Sequence, residues 1–225
     1  MNIDVFLPCR SPSVRIKNKN IKKFSNHRFG LLELKILQLI KIKSIKNVVV
    51  STNDKKIIHY LNKNKFNKVN VIKRPNYLCG NTSSTDSLIK YVPKILTSDH
   101  ILWTHVTSPF FGNIDYENAI KIYKRKIKKN DSLLGVNKMQ NFLYDKKKPI
   151  NFNKKKEKWP RTQTLKKLYE VNNAIFINSR KNYIKYGDRI GKKPFFLEIG
   201  KIKSFDIDWS EDFLLAEKIY ETFYK

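Results

Sequence analysis

Two cysteines and four histidines in 225 residues leave little material for redox or metal chemistry. Cys9 and Cys79 are too few for a disulfide framework and lack metal-ligand spacing. His27, His59, His100 and His105 form no H-x-x-x-H or similar cluster, so the sequence offers no zinc site. Long apolar runs are missing too: none approaches the ~20 residues a membrane-spanning helix needs, and the N-terminus has no signal-peptide pattern. A cytoplasmic protein with no membrane partner is expected. Acidic residues are scarce, 19 against 47 basic, for a formal net charge of +28. Such an excess invites a nucleic-acid reading, because clustered Lys and Arg displace counterions from phosphates. Here the basic residues are spread along the whole chain among Asn and Ile, so nucleic acid is set aside and only an expectation of anionic ligands is kept.

What is present suits a packed globule: 40% hydrophobic and 12% aromatic residues, in a length that fits one α/β domain over residues 1–225. The apolar run Ile3 to Leu7 reads as a buried strand ended by Pro8. Leu31, Leu34, Leu37 and Ile40 recur at helical spacing, Val48 to Thr52 is a second strand, and Asn53-Asp54 offers an N-cap to the next helix. Val69 to Ile72 follows as a third strand. This β-α-β-α-β order at short intervals marks a parallel sheet covered by helices. His100 to Val106, Ser132 to Val136 and Leu168 to Ile177 extend the strand count, with a helix from Tyr116 to Lys129 between the first two.

Four cations, Arg10, Arg15, Lys17 and Lys19, lie on the loop leaving the first strand. Open α/β sheets place anionic ligands at such a loop, although a solvated basic turn has the same composition. Asp86 opens a helix behind the hydroxyl-rich Thr82-Ser83-Ser84, at least one of which is expected to cap it. Residues 137–168 are polar and weakly periodic, with NFLYD and PINFN suggesting a β-hairpin arm that dimerises the protein. Near the end, Ile202 to Trp209 alternates like a strand and carries Asp206 and Asp208 on one face. Paired carboxylates repel unless a cation lies between them, and magnesium accepts one or two carboxylates together with phosphate oxygens. Helix capping by one aspartate, or by Ser210, is the competing explanation.

Taken together, these segments resemble the cytidylyltransferases that make CMP-activated sugar acids, typified by CMP-sialic acid and CMP-KDO synthetases. PCRSPSVRIKNKNI is similar to P-A-R-x-x-S-K-x-x-x-x-K-N-I, VVVSTNDKKI to V-x-V-S-T-D-D-x-x-I, and KRPNYLCGNTSSTDS to R-P-x-x-L-x-x-D-x-x-S-x-x-D. THVTSPF stands where Q-P-T-S-P-L is usual, RTQTLKKLYEVNNAIFI where R-R-Q-x-L-P-x-x-Y-x-x-N-G-A-I-Y-I is usual, and SFDIDWSEDF resembles I-D-I-D-x-x-x-D-F. The resemblance covers nearly the whole chain in the right order. It implies a Rossmann-like, doubly wound, mostly parallel α/β sheet of the nucleotide-diphospho-sugar transferase type, with a β-hairpin dimerisation insertion and a homodimer. The implied activity is transfer of CMP from CTP to an acidic acceptor with release of pyrophosphate, in surface glycan biosynthesis. By position, Arg10 and Lys19 hold the triphosphate with help from Arg15, and together with Asp208 they are the implied catalytic groups. Ser13, Asn20 and Ser84 contact the nucleotide and Arg74 the cytosine side. Asp206 and Asp208 hold Mg2+. His105, Thr107, Arg161, Gln163, Tyr169 and Asn172 fall at acceptor positions.

The departures concentrate in the acceptor half. The loop Lys is Val14, the usual Gln is His105, the Arg after S-P-L is Phe111, the Gly of N-G-A is Asn173, and the Asp after R-P-x-x-L is Asn81. A sugar acid such as a nonulosonic acid, or a small phosphorylated or phosphonate metabolite giving a CDP-type product, both remain open as acceptors. His105 reads as an anion contact, a base or a packed strand-end residue. A non-catalytic polyanion-binding protein on the same scaffold is the alternative of a different class.

Overall fold

The computed structural model describes residues 1–224. The chain runs β1 (Ile3–Pro8), α1 (Gly30–Leu39), β2 (Asn47–Thr52), α2 (Lys55–Asn64), β3 (Val69–Lys73), α3 (Thr85–Ile95), β4 (His100–Trp103) and α4 (Asn113–Lys126). It continues with β5 (Ser132–Met139), β6 (Leu168–Ser179), α5 (Arg180–Tyr186), β7 (Pro194–Glu198) and α6 (Ser210–Phe223). One seven-stranded sheet has the order β3-β2-β1-β4-β6-β5-β7. β6 is antiparallel to β4 and β5, and every other neighbouring pair is parallel.

Strands covered on both faces need apolar residues in every position, and β1 follows that rule. Ile3, Val5 and Leu7 pack with α1, α2, α4 and α6, while Phe6 faces α3 and α5 on the opposite side. Buried Asp4 is the exception, and its carboxylate accepts from Asn47 Nδ2 and the Ser98 N–H, both at 3.0 Å. Helices on both faces make the sheet doubly wound, as the sequence implies. Winding reverses between β1 and β4, so a crevice opens at their C-terminal ends, where such sheets bind ligands. Among the described residues, no helix is long and apolar enough to cross a membrane.

Three expectations change. The stretch Ile202 to Trp209 is not a strand: a turn over residues 201–204 leads into an extended run with no sheet partner. Its alternation arises because Ile207 is wholly buried in the α1–α4–α6 core while the flanking Asp206 and Asp208 line a cleft instead. Alternation reports which side chains are covered, not whether a neighbouring strand exists. The start of α6 is closed by Asp212, whose Oδ2 accepts from the N–H groups of Asp208 (2.9 Å) and Trp209 (2.7 Å), so neither Asp206, Asp208 nor Ser210 serves as its side-chain cap. Finally, β5 and β6 do form a hairpin base, pairing Val136–Met139 with Leu168–Val171, but residues 140–167 fold as a compact loop instead of two strands. Asn151 ties that loop together, bonding to Leu143, Asn141 and Lys166.

Candidate active site

The basic loop after β1 is held on three sides. The Cys9 N–H donates to the Ser51 carbonyl at 2.9 Å, and Asn53 bonds both the N–H (2.8 Å) and the carbonyl (2.7 Å) of Ser11. At the far end, the Leu32 N–H of α1 donates to the Asn20 carbonyl at 2.9 Å, and Asn20 Nδ2 reaches back to the Arg10 carbonyl at 3.3 Å. Gly30 opens α1 with φ +64°, and a Cβ there would collide with the Lys22 carbonyl, so only glycine lets loop and helix approach so closely.

That loop forms one wall of a cleft of about 290 Å³ at the β1/β4 crevice. Arg10, Ser13, Arg15, Lys19 and Asn20 line it opposite Thr107, Asp206 and Asp208. Sequence-distant groups thus meet: Lys19 Nζ donates to the Ile207 carbonyl at 2.8 Å and lies 3.8 Å from Asp208 Oδ1, and Arg15 lies 2.5 Å from the same oxygen. Ile207 is pinned from its other side by donating its N–H to the Thr107 carbonyl at 2.9 Å. Burial pulls the Lys19 ammonium below its ordinary value, opposed first by Asp208 and then by Asp206. Asp206 Oδ2 accepts from Asn173 Nδ2 at 2.8 Å, while its Oδ1 is buried with no hydrogen-bond donor. No cluster of three metal-capable side chains exists among the described residues. An orphaned carboxylate oxygen beside a second carboxylate suits a hard cation that takes its remaining ligands from phosphate and water.

A second cavity of about 460 Å³ shares Pro8, Arg10, His105 and Asn173 with the first. Arg74 and Ser84 line it, as does Arg189. Buried Arg74 is fixed by Ser51, through Nε to Oγ (3.2 Å) and a terminal nitrogen to the carbonyl (2.8 Å). Arg10 donates to Asn81 Oδ1 at 2.8 Å, the position where the sequence departs from Asp. Ser84 caps α3 by accepting from the Ser87 N–H, so the capping and cavity-lining roles coexist in one residue. His105 lies between the two cavities, and its Nε2 is 2.8 Å from the Trp103 indole N–H. Indole only donates, so Nε2 is the acceptor and the imidazole proton sits on Nδ1. Burial, then the charges of Arg189, Lys19 and Arg74, push His105 down to about 3. In this arrangement the Nε2 lone pair is engaged by the indole, and burial with the neighbouring cations disfavours the imidazolium.

Four acceptor-position residues lie outside both cavities. Arg161 and Gln163 are exposed on the loop between β5 and β6, Arg161 just before and Gln163 within a 3-10 turn at Thr162–Thr164. Tyr169 lies on the outer part of β6, its hydroxyl 3.4 Å from Glu198 and its ring against Phe196. Asn172 is buried and structural, donating to the Ser204 carbonyl at 2.7 Å and so anchoring the aspartate-bearing run. The adjacent Asn173 reaches the cleft instead. Neighbours on a strand face opposite ways, so the pattern-matched asparagine turns away and the one replacing glycine points in. Arg189 had no sequence signal, because the segment after α5 follows no recognisable pattern.

A cytidylyltransferase family model matches residues 5–224 of the chain. No curated protein matches by sequence. Among solved structures, the chain is similar to CMP:2-keto-3-deoxy-manno-octonic acid synthetase complexed with CTP, at 11% identity and TM-score 0.70 over 99% of both chains. It is also similar to 4-diphosphocytidyl-2C-methyl-D-erythritol synthase from Anaerococcus prevotii, at 15% identity and TM-score 0.67 over 97% of this chain and 96% of that one. A cytidylyltransferase from Leptospira borgpetersenii shares 14% identity at TM-score 0.64, over 99% of this chain and 88% of that one. At these identities the structural likenesses establish the fold.

Proposed function

Since the chain belongs to the cytidylyltransferase family, we propose that it transfers the cytidylyl group of CTP to an anionic small-molecule acceptor and releases pyrophosphate. The observation that carries this reading is the meeting of Lys19 with Asp208 across a cleft that Arg10, Arg15 and Asp206 also line. The acceptor oxygen bonds to the α-phosphorus, the bond from that phosphorus to the bridging oxygen breaks, pyrophosphate leaves, and the acceptor proton passes to solvent. Negative charge grows on the leaving group, and fixed cations stabilise it more in the transition state than in the ground state. Arg10, Arg15 and Lys19 are the side chains placed to do so. Asp206 and Asp208 would hold magnesium, which neutralises phosphate charge when bound. His105, its Nε2 already accepting, offers a donor and no basic lone pair.

A carboxylate-bearing sugar acid or a small phosphate both meet the charge of the site. The sugar acid would place the enzyme in surface glycan assembly. The loop over residues 140–167 is the surface we assign to a homodimer, supported by the aromatic cluster of Phe142, Tyr144, Phe152 and exposed Trp159. Incubating the protein with CTP, magnesium and a panel of sugar acids and small phosphates, while following pyrophosphate, tests the reaction. Wild-type turnover with one acceptor, lost in Asp208→Asn, is expected, and equal turnover in the two proteins would sink the assignment.

A further inference from the structure

The cavity beside Arg74 holds a cation that the protein itself leaves unused. Arg189 follows α5, and its guanidinium carbon lies 3.9 Å from the centre of the Phe176 ring and 5.2 Å from that of Trp103. These two rings fix the guanidinium over the sheet. Its five N–H groups find no partner among the described residues, whether a hydrogen-bond acceptor or a carboxylate. The other cations of the cavity are committed, Arg74 to Ser51 and Arg10 to Asn81. No Asp or Glu lines the cavity. A guanidinium held over two rings, with its donors open to the cavity and unclaimed by any acceptor among the described residues, is disposed to take an anion through charge-assisted hydrogen bonds. Beside it stands His105, on which Arg189 exerts the largest charge effect of any group, and whose Nδ1–H also has no partner among the described residues.

We propose that Arg189, with the His105 Nδ1–H beside it, binds the anionic substituent of the acceptor, a carboxylate or a phosphate, and so selects which acceptor class is used. The planar fork of Arg189 matches either group bidentately. This assignment fills the gap left by Phe111, which stands where an arginine is usual, and by Arg161, which lies outside the cavities. It rests on the proposed cytidylyl transfer for the word acceptor, while the anion site stands on its own geometry.

The test is a titration of the full chain, with CTP and magnesium saturating, by inorganic phosphate and separately by lactate, followed through the 15N-resolved arginine Nε–H resonances. Arg189→Met keeps the apolar stem over Phe176, and Arg189→Lys keeps the charge without the fork. One of the two anions should bind wild type and shift the Arg189 resonance. Its affinity should fall about tenfold or more in Arg189→Met and by less in Arg189→Lys, as expected for loss of charge-assisted hydrogen bonds. CTP affinity should change by less than anion affinity: Arg74 and Ser84, at nucleotide positions, line the same cavity, but Arg189 stands at none of those positions. The proposal is overturned if wild type binds neither anion, if Arg189→Met leaves anion binding unchanged, or if it weakens CTP instead. Should wild type bind an anion through Arg189 yet fail to bind CTP, the cytidylyl-transfer reading falls and the anion site remains.

Discussion

Arg15 holds the Asp208 carboxylate at 2.5 Å, and the same guanidinium lies 4.9 Å from the centre of the Trp209 ring. Both charged partners are about half exposed, at 46% and 52%. An exposed pair of this kind contributes little to stability, about 0–1 kcal/mol, and is easily exchanged. Arg15 starts one residue beyond Val14, where the family carries a phosphate-facing lysine. Its contact with Asp208 puts its charge at the cleft despite that shift. In the reaction proposed above, Arg15 would turn to phosphate and release Asp208.

Arg15→Met should therefore leave the melting temperature nearly unchanged, with a stability loss below about 1 kcal/mol. Affinity for CTP should fall about tenfold, the scale of one charge-assisted contact. Calorimetric titration and a thermal melt on the same sample check both halves. A large stability loss would mean the pair is structural.

The two aspartates should separate in behaviour. Asp206→Asn keeps an acceptor for Asn173 Nδ2 but removes the negative charge beside its orphaned Oδ1, and Asp208→Asn removes the partner shared by Arg15 and Lys19. Each should lower CTP turnover about a hundredfold or more at fixed magnesium, a typical loss for groups acting on transition-state charge. Asp206→Asn should also raise the magnesium concentration for half-maximal activity, measured by pyrophosphate release. An unchanged magnesium requirement would remove Asp206 from the metal assignment.

Much of this was legible in the sequence, for reasons that differ by element. Buried parallel strands announce themselves as apolar runs, and β1 to β4 with their helices lie within a few residues of the expected positions. The cleft was legible because loop and aspartate motifs keep their order, although the strand assigned to Ile202 to Trp209 does not exist. What stayed hidden depends on three-dimensional packing. Arg161, Gln163 and Tyr169 match by pattern yet lie outside the cavities, whereas Arg189 matches nothing and lines one. β7 carries exposed Phe196 at the sheet edge and lacks the apolar continuity of an interior strand. Lys35 is the clearest case: a lysine in a helical pattern is read as solvated, yet it is wholly buried.

Lys35 Nζ donates to the carbonyls of Ser108 (2.8 Å) and Phe111 (3.0 Å) and to the Tyr116 hydroxyl (3.1 Å). It thereby fixes the turn that follows Thr107 on the cleft wall. Burial pushes the ammonium down to about 7, opposed by the charge of Asp115, and the three acceptors match its three N–H groups. Lys35→Met would strand those acceptors and should cost roughly 2–4 kcal/mol in urea unfolding, the range for a broken buried polar network. A loss under ~1 kcal/mol would show that the turn holds without it.

His105 gives a pH dependence whose sign follows from its environment. Its folded value is depressed from 6.5 to about 3, so the unfolded chain binds the extra proton throughout that interval. The stability tied to neutral His105 is complete above pH 6.5 and is lost progressively as pH falls toward 3, with a slope of at most about 1.4 kcal/mol per pH unit for one proton. His27 and His100 are shifted in the same direction, so wild type alone cannot isolate the effect. Urea midpoints of wild type and His105→Gln at pH 7, 6, 5 and 4 can. The variant loses the proton-linked part, so the difference between the two proteins should shrink steadily as the solution is acidified. Turnover provides the second readout: with Nε2 held by Trp103, the acid limb of the pH–rate profile should be the same in both proteins. An acid limb near pH 6.5 that disappears in His105→Gln would restore the histidine as a proton-transferring group and refute the tautomer assigned from the indole contact.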